Sequence, residues 1–163
     1  MLEIRAATAS DAETILSFVR ELAEYERQPE AVQVDAETLQ AQLNAPQPPF
    51  ECLLAELDGA AVGFALFFHS YSTWRGKRGV WLEDLFVLPS ARRRGVGAAL
   101  LRRVAQIACE RDCARFEWAV LDWNETAMRF YRKLGADVLG EWRLCRVADA
   151  GLAQLGAEPE AND

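Results

Sequence analysis

Between Leu82 and Ile107 the chain runs through an apolar strand, a proline, a run of arginines, a glycine pair and an amphipathic stretch. Few folds accommodate that order. Leu82, Leu85, Phe86, Val87 and Leu88 make a nearly continuous apolar run, which predicts a strand buried on both faces. Pro89 ends it, because proline has no N–H to give to a ladder. Arg92, Arg93 and Arg94 follow, then Gly95-Val96-Gly97. Apolar residues at Val96, Leu100, Leu101, Val104 and Ile107 predict a helix from Val96 to about Arg111. A strand, a glycine loop and a helix N-terminus together suit an anion. The first helical N–H groups have no intrahelical partner, the helix dipole favours negative charge, and glycine lets the backbone come close.

The kind of anion site is narrowed by what is missing. A Walker A loop needs Gly-Lys-Ser/Thr after its spacer, and none is present. A dinucleotide fingerprint needs a third glycine where Leu100 stands, and it belongs after the first strand. A basic helix start with capping glycines is the bland alternative, and the loop by itself leaves it open.

A chain of 163 residues is enough for one domain with one core. Its 51% hydrophobic and 26% charged residues are ordinary for a globular protein. No apolar run approaches the ~20 residues of a membrane span. The start MLEIRAATASD has an acidic residue and no apolar h-region, so no signal peptide is expected. The formal net charge of −7 disfavours nucleic acid as a partner and mildly favours a cationic one; it serves solubility whatever the partner. Cys52, Cys109, Cys113 and Cys145 form no CxxC, and His69 is the single histidine. No metal site is expected; reduced, mostly buried thiols in a cytoplasmic protein are. His69, at the end of an apolar run, reads as structural.

Leu2–Ala6 reads as a first strand. Ser10 to Glu13 forms a capping box for a helix that buries Ile15, Phe18, Val19, Leu22 and Tyr25 and stops before Pro29. Asp35 caps a second helix through Leu43. Strands over 51–57 and 61–71 flank Asp58-Gly59, a hairpin signal. A loop over 71–79 carries Trp74 at its tip. Arg115–Leu121 is a further strand. A helix starts at Asn124 and ends at Gly135, a last strand covers Trp142–Val147, and the tail from Ala148 reads as frayed, ending EPEAND. The outcome is an α/β fold: one domain over 1–163, a mixed central sheet with helices on both faces, and a frayed end from about 157.

A second constellation follows the arginine loop by about thirty residues: Asn124-x-x-Ala127-x-x-Phe130-Tyr131-x-x-x-Gly135-Ala136. Each piece alone is ordinary helix-capping or core material. Arg92-x-x-Gly95-x-Gly97 followed by this segment resembles the two signatures of the GCN5-related N-acetyltransferases (GNAT). The stretches YERQPEAV, YSTWRG, WLEDLFV, DWNETAMRFYRKLGA and EWRL narrow the resemblance to the diamine and polyamine acetyltransferases, the spermidine/spermine N1 type, and to their thialysine-acetylating relatives. It covers Ile4 to Val147.

The resemblance implies a GNAT fold and acetyl transfer from acetyl-CoA to a primary amine of a polyamine, diamine or lysine analogue. It implies that Leu85, Phe86 and Val87, the loop Arg92, Arg93, Arg94, Gly95, Val96, Gly97 and Ala98, and Asn124, Glu125, Thr126 and Ala127 hold the cofactor. The Val87 amide would polarise the thioester carbonyl. Tyr131 would protonate the leaving thiolate, since a tyrosine O–H ordinarily has a pKa near ~10. An alkylammonium must lose its proton before it attacks, and its pKa is near ~10.4; Glu83 would take that proton through water. Tyr25, Glu26, Glu83, Asp84, Glu117, Trp118 and Glu141 would line the acceptor site, with Asp84 on the opposite strand face from Glu83. Trp74, Trp81 and Trp123 are further aromatic candidates. A homodimer is also implied. Two alternatives stay open: another acceptor, whether amino acid, aminoglycoside or protein amine, and an acyl-CoA-binding module without catalysis.

Overall fold

The computed structural model describes residues 1–157; the expected frayed end beyond them lies outside the described residues. The chain divides into two compact units, Met1–Leu121 and a second that begins at Asp122.

In the first unit, β1 (Leu2–Ala6), β2 (Glu51–Leu57), β3 (Ala60–Ser72), β4 (Lys77–Val87) and β5 (Phe116–Trp118) lie side by side in that order. The first three pairings are antiparallel and β4–β5 is parallel, so the sheet is mixed as expected. Helices α1 (Ala12–Tyr25) and α2 (Ala36–Leu43) cover one face. There Ile15, Phe18 and Leu39 meet Leu54, Phe64, Leu66 and Phe86, with the Phe18 and Phe64 rings stacked at 5.8 Å. Successive strand residues point to opposite faces. Leu53, Ala55 and Ala65 therefore serve the other face, which α3 (Val96–Glu110) covers with buried Val96, Leu100, Leu101, Val104 and Ile107.

Local chemistry sets the ends of these elements. The capping box at the start of α1 is Thr8 with Asp11, two residues earlier than the Ser10–Glu13 pair expected from sequence. The Thr8 amide donates to Asp11 Oδ2 at 2.8 Å, because a short 3-10 turn over Ala9–Asp11 leads into the helix. Arg5 donates to both oxygens of Asp11 and to Glu56, and its hydrogen bonds hold the Asp11 carboxyl well below the usual range. Asp35 caps α2 by accepting from the Thr38 amide at 2.8 Å. Asp58 and Gly59 take φ of 53° and 83°, the left-handed pair that a tight hairpin turn requires.

Strands β3 and β4 form a longer hairpin than the sequence suggested. The loop read over 71–79 shrinks to residues 73–76, with Trp74 92% exposed at its tip. Gly63 allows these strands to close up: a Cβ there would lie 2.6 Å from the Phe86 carbonyl oxygen and 3.2 Å from Val87 Cα. Both are backbone atoms that cannot swing away. Gly63→Ala is therefore expected to cost about 1–3 kcal/mol through overpacking, a fall in Tm of roughly 2–10 °C. A thermal melt checks this; an unchanged Tm would mean that the strands separate freely at Val87.

The central strand is not buried on both faces. Leu82 and Phe86 are buried, Asp84, Leu85 and Val87 are half-buried, and Glu83 is exposed. The reason lies in β5, which spans three residues rather than the seven expected and pairs only with Val80–Leu82. Beyond Leu82 no strand pairs with that side of β4 among the described residues.

The four cysteines are free. Cys52 is buried and Cys113 half-buried, but Cys109 and Cys145 are exposed, so the expectation of mostly buried thiols is not met. His69 is structural, as read from sequence. Its Nε2 accepts from Arg111 Nη1 at 2.9 Å, which leaves Nδ1–H to donate to the Gly79 carbonyl at 3.1 Å. Arg111 also makes a two-pronged ion pair with Glu51.

The second unit holds α4 (Glu125–Lys133) and α5 (Asp149–Gly156). Asn124 Oδ1 accepts from the Ala127 amide at 3.2 Å and starts α4. Gly135, at φ 91°, ends it: the Gly135 and Ala136 amides bond back to the carbonyls of Arg132 and Tyr131. The strand expected over Trp142–Val147 is absent. The tail read as frayed from Ala148 instead forms α5, every residue of which is exposed.

Candidate active site

In the first unit the site begins where β5 leaves β4. The Leu88 amide bonds across to the Val62 carbonyl at 2.9 Å. Strand amides alternate sides, so the Val87 amide faces away from β3, toward the side that β5 has vacated. The chain then turns at Pro89–Ala91 and enters the arginine loop. Arg93 and Gly95 take positive φ, 61° and 83°. No side chain caps α3, so its first N–H groups are left for a ligand.

The three arginines divide their work. Arg92 turns back on the strand: its Nε donates to the Val87 carbonyl at 2.9 Å, and its guanidinium lies 5.2 Å from the centre of the Tyr25 ring and 5.7 Å from that of Phe86. It ties the end of β4 to the end of α1. Arg93 and Arg94 are exposed beside the helix start.

The carboxylates expected to line an acceptor site also separate by position. Asp84 lies opposite Leu66 in the ladder and shares the α1 face of the sheet. Among the described residues it has no hydrogen-bond or ion-pair partner. Desolvation, with Glu83 and Glu26 nearby, pushes its pKa up to about 7. Glu26 follows the last residue of α1 and is itself shifted upward by burial. Glu83, on the other strand face, is exposed and accepts from Trp81 Nε1 at 3.0 Å. The structure thus brings Glu26, Glu83 and Asp84 into one acidic corner, with Tyr25 beside it through Arg92. Glu117 is bound to Arg115 at 2.6 Å, and half-buried Trp118 packs its ring 4.9 Å from Phe116.

In the second unit, Asn124, Glu125, Thr126 and Ala127 form the first turn of α4. Tyr131 is half-buried two residues before its end, with its ring centre 5.4 Å from that of Phe130. Glu141 is exposed in the irregular segment after α4. Two features were missed in the sequence. One is the anchoring role of Arg92. The other is Gly63, whose signal was available: a lone glycine in a strand marks a close backbone approach.

The acetyltransferase (GNAT) family profile matches residues 15–136. The chain belongs to the GNAT acetyltransferase family. Members of this family are N-acetyltransferases that use acetyl-CoA as co-substrate, and this chain is an enzyme of that kind. It is 37% identical to a thialysine N-epsilon-acetyltransferase of Bos taurus over 95% of this chain and 97% of that one. It is 34% identical to a human spermidine/spermine N(1)-acetyltransferase-like protein over 88% of this chain and 22% of that longer one. Among solved structures, an integron cassette protein from the mobile metagenome of V. cholerae superposes with a TM-score of 0.80 at 24% identity, covering 96% of this chain and 98% of that one. That likeness establishes the fold alone.

The arginine loop fits the co-substrate. Left-handed turns at Arg93 and Gly95, an uncapped helix start and two exposed guanidinium groups suit a pyrophosphate.

Proposed function

We propose that this GNAT enzyme transfers the acetyl group of acetyl-CoA to a primary amine of a small polycation, whether polyamine, diamine or lysine analogue such as thialysine. The observation that carries this reading is the acidic corner of Glu26, Glu83 and Asp84. A half-buried carboxylate without a partner, beside two more, is costly to charge, and an arriving cation offsets that cost. The thialysine acetyltransferase relatives point to the same acceptor class.

In this reading the amides of Arg93 to Ala98, the Val87 amide and the first turn of α4 hold acetyl-CoA, which supplies the acyl group. Leu85 and Phe86 belong to the same cofactor-binding stretch of β4. The amide of Val87 polarises the thioester carbonyl and Tyr131 gives a proton to the departing sulfur. Asp84 and Glu26 hold the ammonium end of the acceptor, with Tyr25 as an aromatic wall. Glu83, held by Trp81 and open to solvent, takes the amine proton through water. Glu117, Trp118 and Glu141 line the remainder. The whole chain, 1–163, acts as one catalytic domain; what supports this is a family match that runs across both units. Two exposed free thiols, Cys109 and Cys145, suit the reducing cytoplasm. A homodimer belongs to the same reading.

The test is thiol release from acetyl-CoA against spermidine, putrescine, lysine, thialysine, an aminoglycoside and a basic peptide. Turnover is expected with a short polyamine, diamine or lysine analogue. Turnover with the aminoglycoside or peptide alone would replace the acceptor class. No turnover on any amine, with acetyl-CoA still raising Tm, would favour a binding module without catalysis.

A further inference from the structure

At Val87 the sheet stops and the cofactor loop begins. Val87 faces Gly63 across the β3–β4 ladder, and the next amide, Leu88, donates to the Val62 carbonyl at 2.9 Å. Gly63 and Val87 are therefore a non-hydrogen-bonded pair, and the N–H and C=O of Val87 both point away from β3. In a wider sheet the next strand would take both. Here β5 pairs only with Val80–Leu82. The Val87 carbonyl is taken instead by Arg92, whose Nε donates to it at 2.9 Å. The turn over Pro89–Ala91 brings that side chain back, with the Ala91 and Arg92 amides bonded to the carbonyls of Leu88 and Pro89. An exposed arginine readily trades such a bond for water. This guanidinium also lies 5.2 Å from the Tyr25 ring centre and 5.7 Å from that of Phe86, both within cation–π reach, so two rings hold it in place.

We propose that Arg92 is a positioning residue for acyl transfer: it binds the Val87 carbonyl in place of a strand and so fixes the direction of the Val87 N–H. This rests on the reading above, in which that N–H polarises the thioester carbonyl. The two groups of Val87 are linked only through its two soft dihedrals. The peptide that follows is gripped at both ends, by the Val62 carbonyl at the Leu88 N–H and by Arg92 at the carbonyl oxygen. The peptide that precedes it is close against β3, where a Cβ on Gly63 would lie 2.6 Å from the Phe86 oxygen. A donor held in this way needs no reorganisation as negative charge builds on the thioester oxygen, and that is the source of an oxyanion donor's effect. The role differs from the one that motif position implies. A phosphate ligand acts through positive charge, which lysine supplies as well. The clamp acts through one N–H, and its loss is felt in kcat. Arg93 and Arg94, exposed beside the helix start, are left for the phosphates.

Three substitutions in the full chain separate the two roles. Glutamine places a side-chain N–H where the arginine Nε stands, without the charge. Lysine keeps the charge and has a methylene there. Methionine keeps little but length. Arg92→Lys and Arg92→Met are expected to lower kcat roughly 10- to 100-fold, within what loss of a whole oxyanion donor costs, about 10²–10³. The KM for acetyl-CoA should change little, and Arg92→Gln should recover most of the rate. Recovery by Lys and not by Gln, equal losses in both, or a raised KM with kcat kept would overturn the proposal, as would wild-type kcat in all three. Should Arg92→Met fail to fold, which circular dichroism reports, the Lys and Gln pair decides. The second measurement is the infrared stretch of acetyl-CoA labelled with 13C at its acetyl carbonyl, bound without amine. It is expected at lower frequency than in free acetyl-CoA for wild type and Arg92→Gln, and nearer the free value for Arg92→Lys and Arg92→Met. A wild-type stretch equal to the free one would remove the polarising amide, and the proposal with it. A lowered stretch kept by all three variants would leave the amide standing and overturn only the part given to Arg92.

Discussion

Tyr131→Phe is expected to lower kcat by roughly 10²-fold or more, since a positioned general acid contributes about that much. The substitution keeps the ring, and with it the packing of half-buried Tyr131 against Phe130 at 5.4 Å. Only the hydroxyl is lost. The KM values for acetyl-CoA and amine are expected to stay near wild type, because a proton donor acts in the transition state and not in binding. Steady-state kinetics at saturating concentrations of both substrates decides the matter. An unchanged kcat would remove Tyr131 from the acid role and assign the leaving thiolate's proton to water. A large rise in KM with kcat kept would make it a binding residue.

How much of this was legible in the sequence depends on the range of the interactions involved. Local rules located what they govern: the Asp35 cap, the Asp58-Gly59 turn, the Asn124 cap and the Gly135 stop all stand where their side chains or lack of them dictate. The capping box slipped by two residues because Arg5, on another element, fixes Asp11 rather than Glu13. Strand lengths failed for a different reason. The residues 115–121 read as a strand by composition, but the chain leaves β4 after Trp118, although β4 runs on to Val87. For the site, alternation correctly sent Glu83 and Asp84 to opposite faces, but could not tell which face is sealed. That depends on α1, which ends beside Asp84 and brings Glu26 with it. Arg92 was read as a phosphate ligand by motif position; its bond to the Val87 carbonyl depends on the fold around the Pro89 turn.

The two neighbouring carboxylates of β4 should separate cleanly in a paired experiment. Asp84→Asn removes the charge that meets the acceptor's ammonium, and a charge-assisted hydrogen bond is worth about 1.5–3 kcal/mol. The KM for a diamine is therefore expected to rise about 10- to 150-fold with a smaller change in kcat. Wild-type KM should itself rise as pH falls below about 7, because Asp84 then takes up a proton and loses its charge; in Asp84→Asn that part of the profile should be flat. Glu83→Gln should do the reverse, lowering kcat while binding is less affected. Stability gives an independent reading. A carboxyl whose pKa is raised on folding stabilises the fold only while protonated, so wild-type Asp84 becomes a liability as pH climbs from its unfolded pKa near ~3.9 to about 7. Asp84→Asn should thus melt at the same temperature as wild type near pH 4 and several degrees higher at pH 8. Equal Tm at both pH values, with an unchanged diamine KM, would mean that Asp84 faces water and that the acceptor's ammonium is held elsewhere. A gain in stability with a loss of affinity is the signature of a carboxylate kept desolvated for a cation that arrives only with the substrate.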